Sequence, residues 1–196
     1  VWVADNTEID FREIVLPTYA SIEVYVCPYH RNTGYFGGAS RLMKEVGDLA
    51  AYDYVVISNV DILLPVTFFE AMLQLQVGEK VAWIAPAIYS EKEGLDRNPE
   101  LVYRPSALKL RMLMTMYKYD VLIRLYNRLL YRLRRKKKVA QARGEAFIYA
   151  GHGSFILLTQ RFFRSYSSFE YACFLFGEEI FLAELIRRKG LRVLYA

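Results

Sequence analysis

The sequence predicts an α/β fold built on a mostly parallel central sheet. Three observations point there. Short β-rich runs alternate with helical patterns, which is the βαβ signal. The run at residues 54–58, Tyr-Val-Val-Ile-Ser, is continuously apolar until its last residue, as in strands covered on both faces of a parallel sheet. Carboxylate and amide residues follow the strands instead of interrupting them, and ligands of open α/β sheets bind beyond the carboxyl ends of the strands. At 196 residues with 54% apolar side chains, the chain suits one domain, residues 1–196, with a full core.

The elements follow in order. Residues 1–4 read as a strand ending at Asp5-Asn6, and Thr7 is placed to cap a helix over 8–16, before Pro17. Residues 22–27 alternate and are β-rich. A glycine-rich stretch, 32–38, runs into a helix over 39–49. After the strand 54–58, Pro65 opens a helix over 66–75. Residues 81–85 form a strand, 87–106 a polar loop and 107–138 a long basic helix. Residues 145–150 and 154–159 are short strands separated by Gly151-His152-Gly153. Residues 178–189 form a helix closed by Gly190, and 192–195 a final strand. The chain opens directly in strand character without Met, so part of the domain is expected to precede it.

Charge is distributed unevenly. Residues 104–138 hold twelve Lys/Arg against the single acid Asp120, a net +11, while the rest of the chain carries −6. An acidic body with one basic segment argues against a general nucleic-acid binder and for a local anionic partner. Within that segment Leu122, Leu125, Tyr126, Leu129, Leu130 and Leu133 keep helical spacing, with Arg124, Arg128 and Arg132 beside them. Such a helix suits an anionic membrane surface, at roughly 1 kcal/mol per basic residue. A solvated face or an acidic protein partner is the alternative. No apolar run reaches the ~18 residues of a transmembrane helix. Cys27 and Cys173 lack metal-site spacing and read as reduced thiols of a cytosolic protein.

Several residues carry chemistry, each with a plainer alternative. Asp61, just past an apolar strand, suits Mg²⁺ or Mn²⁺, which take oxygen ligands and bridge phosphates; it also suits a turn carboxylate. Asp5 and Asn6 suit a nucleotide base or ribose, or an Asx turn. The glycines at 34, 37 and 38 suit a close backbone approach to phosphate, or a turn. Glu178-Glu179 stand at a helix start, where the dipole favours acids. Two acids crowded by Phe174-Leu-Phe-Gly177 also suit a general base of raised pKa. His152, between two glycines, suits a phosphate, metal or acceptor contact, or a structural role.

Taken together, Asp5-Asn6, Asn32-x-Gly34, Asn59-Val-Asp61 and Glu178-Glu179 with Gly190 eleven residues after Glu179 resemble the family 2 glycosyltransferases. The likeness is closest to the bacterial polysaccharide and rhamnosyltransferase-like branch, and it covers most of the chain except about 87–143. Glu179 stands where that family usually has Asp, and Phe181 and Leu185 stand where many members have Asp and Arg. The family's first strand has no counterpart here.

The resemblance implies a GT-A type nucleotide-binding sandwich with the basic helix inserted, and a nucleoside-diphosphate sugar as donor. It implies nucleotide contacts from Asp5, Asn6, Asn32, Gly34 and Asn59, and a divalent metal, Mg or Mn, on Asp61. Glu179 would be the base, with Glu178 positioning base or acceptor and His152 near acceptor or phosphate. The acceptor would be a glycan or lipid-linked glycan. The protein would then lie peripherally on the inner face of the cell membrane, held by residues 107–138. Two rivals are a non-catalytic module that docks through the basic helix and another nucleotide-sugar enzyme, such as a nucleotidyltransferase.

Overall fold

The computed structural model describes residues 1–8, 21–116, 124, 128, 144–172, 174 and 177–196. Two strands open the chain, β1 (Trp2–Asp5) and β2 (Tyr25–Pro28), paired in parallel, with Trp2 stacked on Tyr25 at 4.5 Å. The helix expected over 8–16 falls, apart from Glu8, outside the described residues.

Helix α1 (Tyr35–Val46) buries Phe36, Ser40 and Met43, spaced i, i+4, i+7, and closes on Gly47. It starts four residues earlier than the sequence suggested. Gly37 and Gly38 are not turn residues; they lie in the helix and let it approach its neighbours. A Cβ on Gly38 would stand 2.9 Å from Asn6 Nδ2 and 3.3 Å from the Ala4 methyl. The helix backbone at Gly38 therefore rests directly on the side chains of Ala4 and Asn6.

A 3-10 turn, Leu49–Ala51, leads into β3 (Tyr54–Ser58). Helix α2 (Phe68–Gln74) and β4 (Val81–Ala85) follow. The stretch read as a polar loop contains a small hairpin, β5 (Tyr89–Ser90) with β6 (Leu95–Asp96). Of the basic helix, α3 (Ala107–Met116) is described; the charged tail 134–138 lies outside the described residues. Strands β7 (Ala146–Ile148) and β8 (Phe155–Thr159) come next, then the one-turn α4 (Gln160–Phe163), helix α5 (Glu178–Arg188) and β9 (Arg192–Tyr195).

The main sheet has five strands in the order β3-β8-β4-β9-β7. It is mixed and mostly antiparallel, which corrects the expectation of a mostly parallel sheet. Only β4 and β9 run together; β8 runs against both β3 and β4, and β7 against β9. An apolar run reports cover on both faces and says nothing of direction. β8 (Phe-Ile-Leu-Leu-Thr) and β4 (Val-Ala-Trp-Ile-Ala) are buried throughout, yet antiparallel to each other. β3, read as a buried parallel strand, pairs with β8 alone among the described residues and exposes Val56 and Ser58.

The sheet is sandwiched. On one face Phe36, Met43, Leu182 and Ile186 of α1 and α5 meet Trp83, Ile156, Leu158 and Val193. On the other, Met72 and Phe68 of α2 meet Val81, Ile84, Phe155, Leu157 and Leu194. A register shift between Val81 and Trp83 lets Ala82 and Trp83 both join the first face.

Loop 86–104 is fastened by polar groups. Asp96 accepts from the backbone N–H of Ile88 and Asn98 and from the Tyr195 hydroxyl at 2.6 Å. Arg104 and Tyr149 donate to Glu184 of α5, and these bonds, with Arg187, hold the Glu184 carboxyl down at about 2. Among the described residues no helix is long and apolar enough to cross a membrane.

Candidate active site

Gly34 is where two distant segments are locked together. Its φ of +77° and the absence of a side chain admit the carbonyl oxygen of Phe174, which a Cβ would meet at 2.0 Å. Asn32 Oδ1 accepts from the Gly34 N–H at 3.1 Å, and Asn6 Nδ2 donates to the Gly34 carbonyl at 3.3 Å. Three predicted contact residues, Asn6, Asn32 and Gly34, thus converge at the first turn of α1. Asn6 Oδ1 and Thr33 Oγ1 are buried there with no hydrogen-bond partner among the described residues.

Asp5 sits at the mouth of β1, but its carboxylate is engaged. Oδ1 accepts from the Thr7 hydroxyl at 2.6 Å and the Thr7 N–H at 3.0 Å, the Asx-type turn that was the plainer alternative. Those bonds hold its carboxyl below the usual carboxylate range. Thr7 therefore bonds to Asp5 at the surface.

Phe169 and Tyr171, a few residues before the locked Phe174, clasp α1 to α5. Phe36 packs on Phe169 at 4.7 Å and edge-on to Tyr171, and Tyr171 contacts Phe181 of α5. Ser40 donates to the Phe169 carbonyl. Gly177, with φ +90°, turns the chain into α5, so that Glu178 and Glu179 are its first two residues.

Glu178 is only 7% exposed and Glu179 is half-buried. A Cβ on Gly153 would stand 2.6 Å from Glu179 Oε1, so the carboxylate lies directly on that backbone. Burial raises the Glu179 pKa; its own N–H pulls it down, Glu178 and Glu100 raise it further, and His152 opposes them. A half-buried acid beside a second acid holds its proton more tightly than an exposed glutamate does.

The turn 151–154 connects this carboxylate to the end of β3. Asn98, buried in the loop, donates from Nδ2 to the Pro86 carbonyl and accepts the His152 N–H at 2.7 Å. His152 Nδ1 pairs with the Ser154 hydroxyl at 2.9 Å. The Ser154 carbonyl accepts from the N–H of Asn59 at 2.9 Å. Asp61, two residues beyond Asn59, is exposed. Glu179, His152, Asn59 and the Asp61 loop therefore share one end of the sheet.

Among the described residues no group of three or more His, Cys, Asp or Glu could hold a metal ion. Asp61 as a lone protein carboxylate fits Mg²⁺ or Mn²⁺ only as a partner to substrate phosphates and water.

Comparison with protein-family models, curated proteins and solved structures returns no match.

The geometry adds residues that sequence reasoning missed. Tyr35, Asn98, Gly153 and Ser154 surround the acids or the histidine. Gly153 carried a signal, since a Gly-His-Gly turn between two strands leaves room for a neighbour; Asn98, inside a stretch read as a polar loop, carried none.

Proposed function

We propose that the protein is an inverting glycosyltransferase of GT-A type that uses a nucleoside-diphosphate sugar. The observation that supports this reading best is Glu179: a half-buried carboxylate of raised pKa at a helix start, on the same end of the sheet as Asp61. The acids flank one end of an α/β sheet, the usual place for a ligand.

In this mechanism Glu179 accepts the proton of an acceptor hydroxyl as its oxygen attacks the anomeric carbon. The new carbon–oxygen bond forms while the bond to the diphosphate breaks, and the nucleoside diphosphate leaves with the electron pair. One displacement inverts configuration and needs no sugar–enzyme intermediate. Glu178, beside Glu179, keeps the base's affinity for a proton high. His152, held by Asn98 and Ser154, lines the same end. A divalent cation on Asp61 would supply positive charge for the leaving diphosphate. Asn32, exposed beside the first turn of α1, is offered as the nucleotide-facing residue there, with Asn6 and Gly34 holding the turn in place.

The test is calorimetric titration with UDP, GDP and dTDP, with and without Mn²⁺. One nucleotide should bind in a metal-dependent way, and Asp61→Ala should weaken that binding at least tenfold. A folded protein that binds none of the three would overturn the reading.

The acceptor is proposed to be a glycan, presented on lipid at the cytoplasmic face of a membrane. On α3, exposed Leu108 and Met112 stand among exposed Lys109 and Arg111, a mixture suited to an anionic interface. The protein should sediment with vesicles containing anionic lipid at low salt and be released as salt is raised. Sedimentation equal with neutral vesicles, or absent altogether, would remove the membrane from the proposal.

A further inference from the structure

The first residue of α1 carries an oxygen that the fold does not use. Tyr35 stands between Gly34, locked under the Phe174 carbonyl, and Phe36, which is fully buried. Its ring packs against the core beside Phe36, at 5.6 Å between centroids. Its hydroxyl is buried and has no hydrogen-bond partner among the described residues. A buried polar group without a partner is destabilising. A phenylalanine would fill the same space without that cost.

The charged groups that act on this hydroxyl are Glu179 and Glu178; with burial they raise its pKa, so it remains a neutral donor. Glu178 is itself 7% exposed, and among the described residues its carboxylate is left free for an incoming donor. A donor lacking an acceptor thus stands near the Glu178 carboxylate, and no hydrogen bond joins the two. The chemical group that satisfies both is one that accepts and donates at once, namely a hydroxyl.

We propose that Tyr35 is a substrate-binding residue whose hydroxyl, together with Glu178, holds a second hydroxyl of the acceptor beside the one that Glu179 deprotonates. This rests on the transferase reading, and it narrows the acceptor to a sugar or polyol with neighbouring hydroxyls. Tyr35 donates to the oxygen of that second hydroxyl, whose own proton goes to Glu178. Glu179 is left free for the reacting group.

The experiment is saturation-transfer NMR with a panel of methyl glycosides on wild type, Tyr35→Phe and Glu178→Gln, together with thermal unfolding of each. A glycoside bound by the wild type should bind Tyr35→Phe about three- to tenfold more weakly, the worth of one hydrogen bond. Glu178→Gln should weaken it similarly. Tyr35→Phe should unfold at the wild-type temperature or above, because the hydroxyl has no partner to lose.

Unchanged affinity in Tyr35→Phe would overturn the proposal and leave the hydroxyl to a bound water. So would a fall in its unfolding temperature, which would reveal an internal partner. A wild type that binds no glycoside overturns it as well. Failure of the transferase reading is distinguishable, because it appears as loss of nucleoside-diphosphate binding in the wild type. Glycoside binding weakened by Tyr35→Phe would support Tyr35 even then.

Discussion

Replacing Glu179 with Gln is expected to lower sugar transfer by about 10²- to 10⁴-fold, the usual worth of a general base, while nucleotide binding persists. The amide keeps the size of the carboxylate but cannot take a proton. A pH profile gives the independent check. Burial and Glu178 raise the Glu179 pKa above 4.5, its ordinary value. The base works when ionised, so kcat/KM should fall as pH drops through the raised pKa, at a higher pH than an exposed glutamate would give. Residual activity of Glu179→Gln should lack that limb. Gly153→Ala separates a positional effect from a chemical one. Its Cβ would enter to 2.6 Å from Oε1, the movable end of the side chain, so the carboxylate should swing aside with little change in stability. Activity should then fall with the acid limb displaced, not abolished. Full activity in Glu179→Gln would remove this residue as the base.

The parts of the site that could be read from sequence are those whose signal is local. The strand at 192–195 and the start of the helix at Glu178 were placed correctly because apolar periodicity, first-turn acids and Gly190 all lie within a few residues. Asp5 was readable too, down to its alternative, since an Asx turn needs only the residue two places on, and Thr7 supplies it. Strand direction was not readable. β8 pairs with β3, about a hundred residues away, and nothing within Phe-Ile-Leu-Leu-Thr states which way it runs beside a neighbour. The place of Gly38 was not readable because glycine marks both turns and close helix contacts, and the contact that decides, with Asn6 and Ala4, is about thirty residues off. Asn98 and Tyr35 matter through His152 and through Glu178 and Glu179, partners far along the chain that no local pattern names.

Gly34→Ala is expected to be the most damaging single methyl in the protein, and Gly47→Ala explains why. Both glycines have positive φ, +77° and +88°, so alanine is strained at either, at about 1–3 kcal/mol. They differ in surroundings. A Cβ on Gly47 meets nothing within 4 Å, whereas one on Gly34 meets the Phe174 carbonyl oxygen at 2.0 Å. That oxygen is backbone and cannot rotate away. Either α1 or the backbone at Phe174 must move, and α1 is pinned by Phe36 against Phe169 and by the bond from Ser40. Urea unfolding should therefore show Gly47→Ala losing about 1–2 kcal/mol and Gly34→Ala at least ~2 kcal/mol more, a size reached only by severe core changes. Equal losses at the two sites would mean that Phe174 does not rest on Gly34. The consequence reaches the chemistry, because Tyr35, whose hydroxyl feels the charges of Glu179 and Glu178, follows Gly34 directly in the chain. Gly34→Ala protein that still folds should have lost transfer more completely than its stability predicts, while Gly47→Ala at the same temperature keeps it.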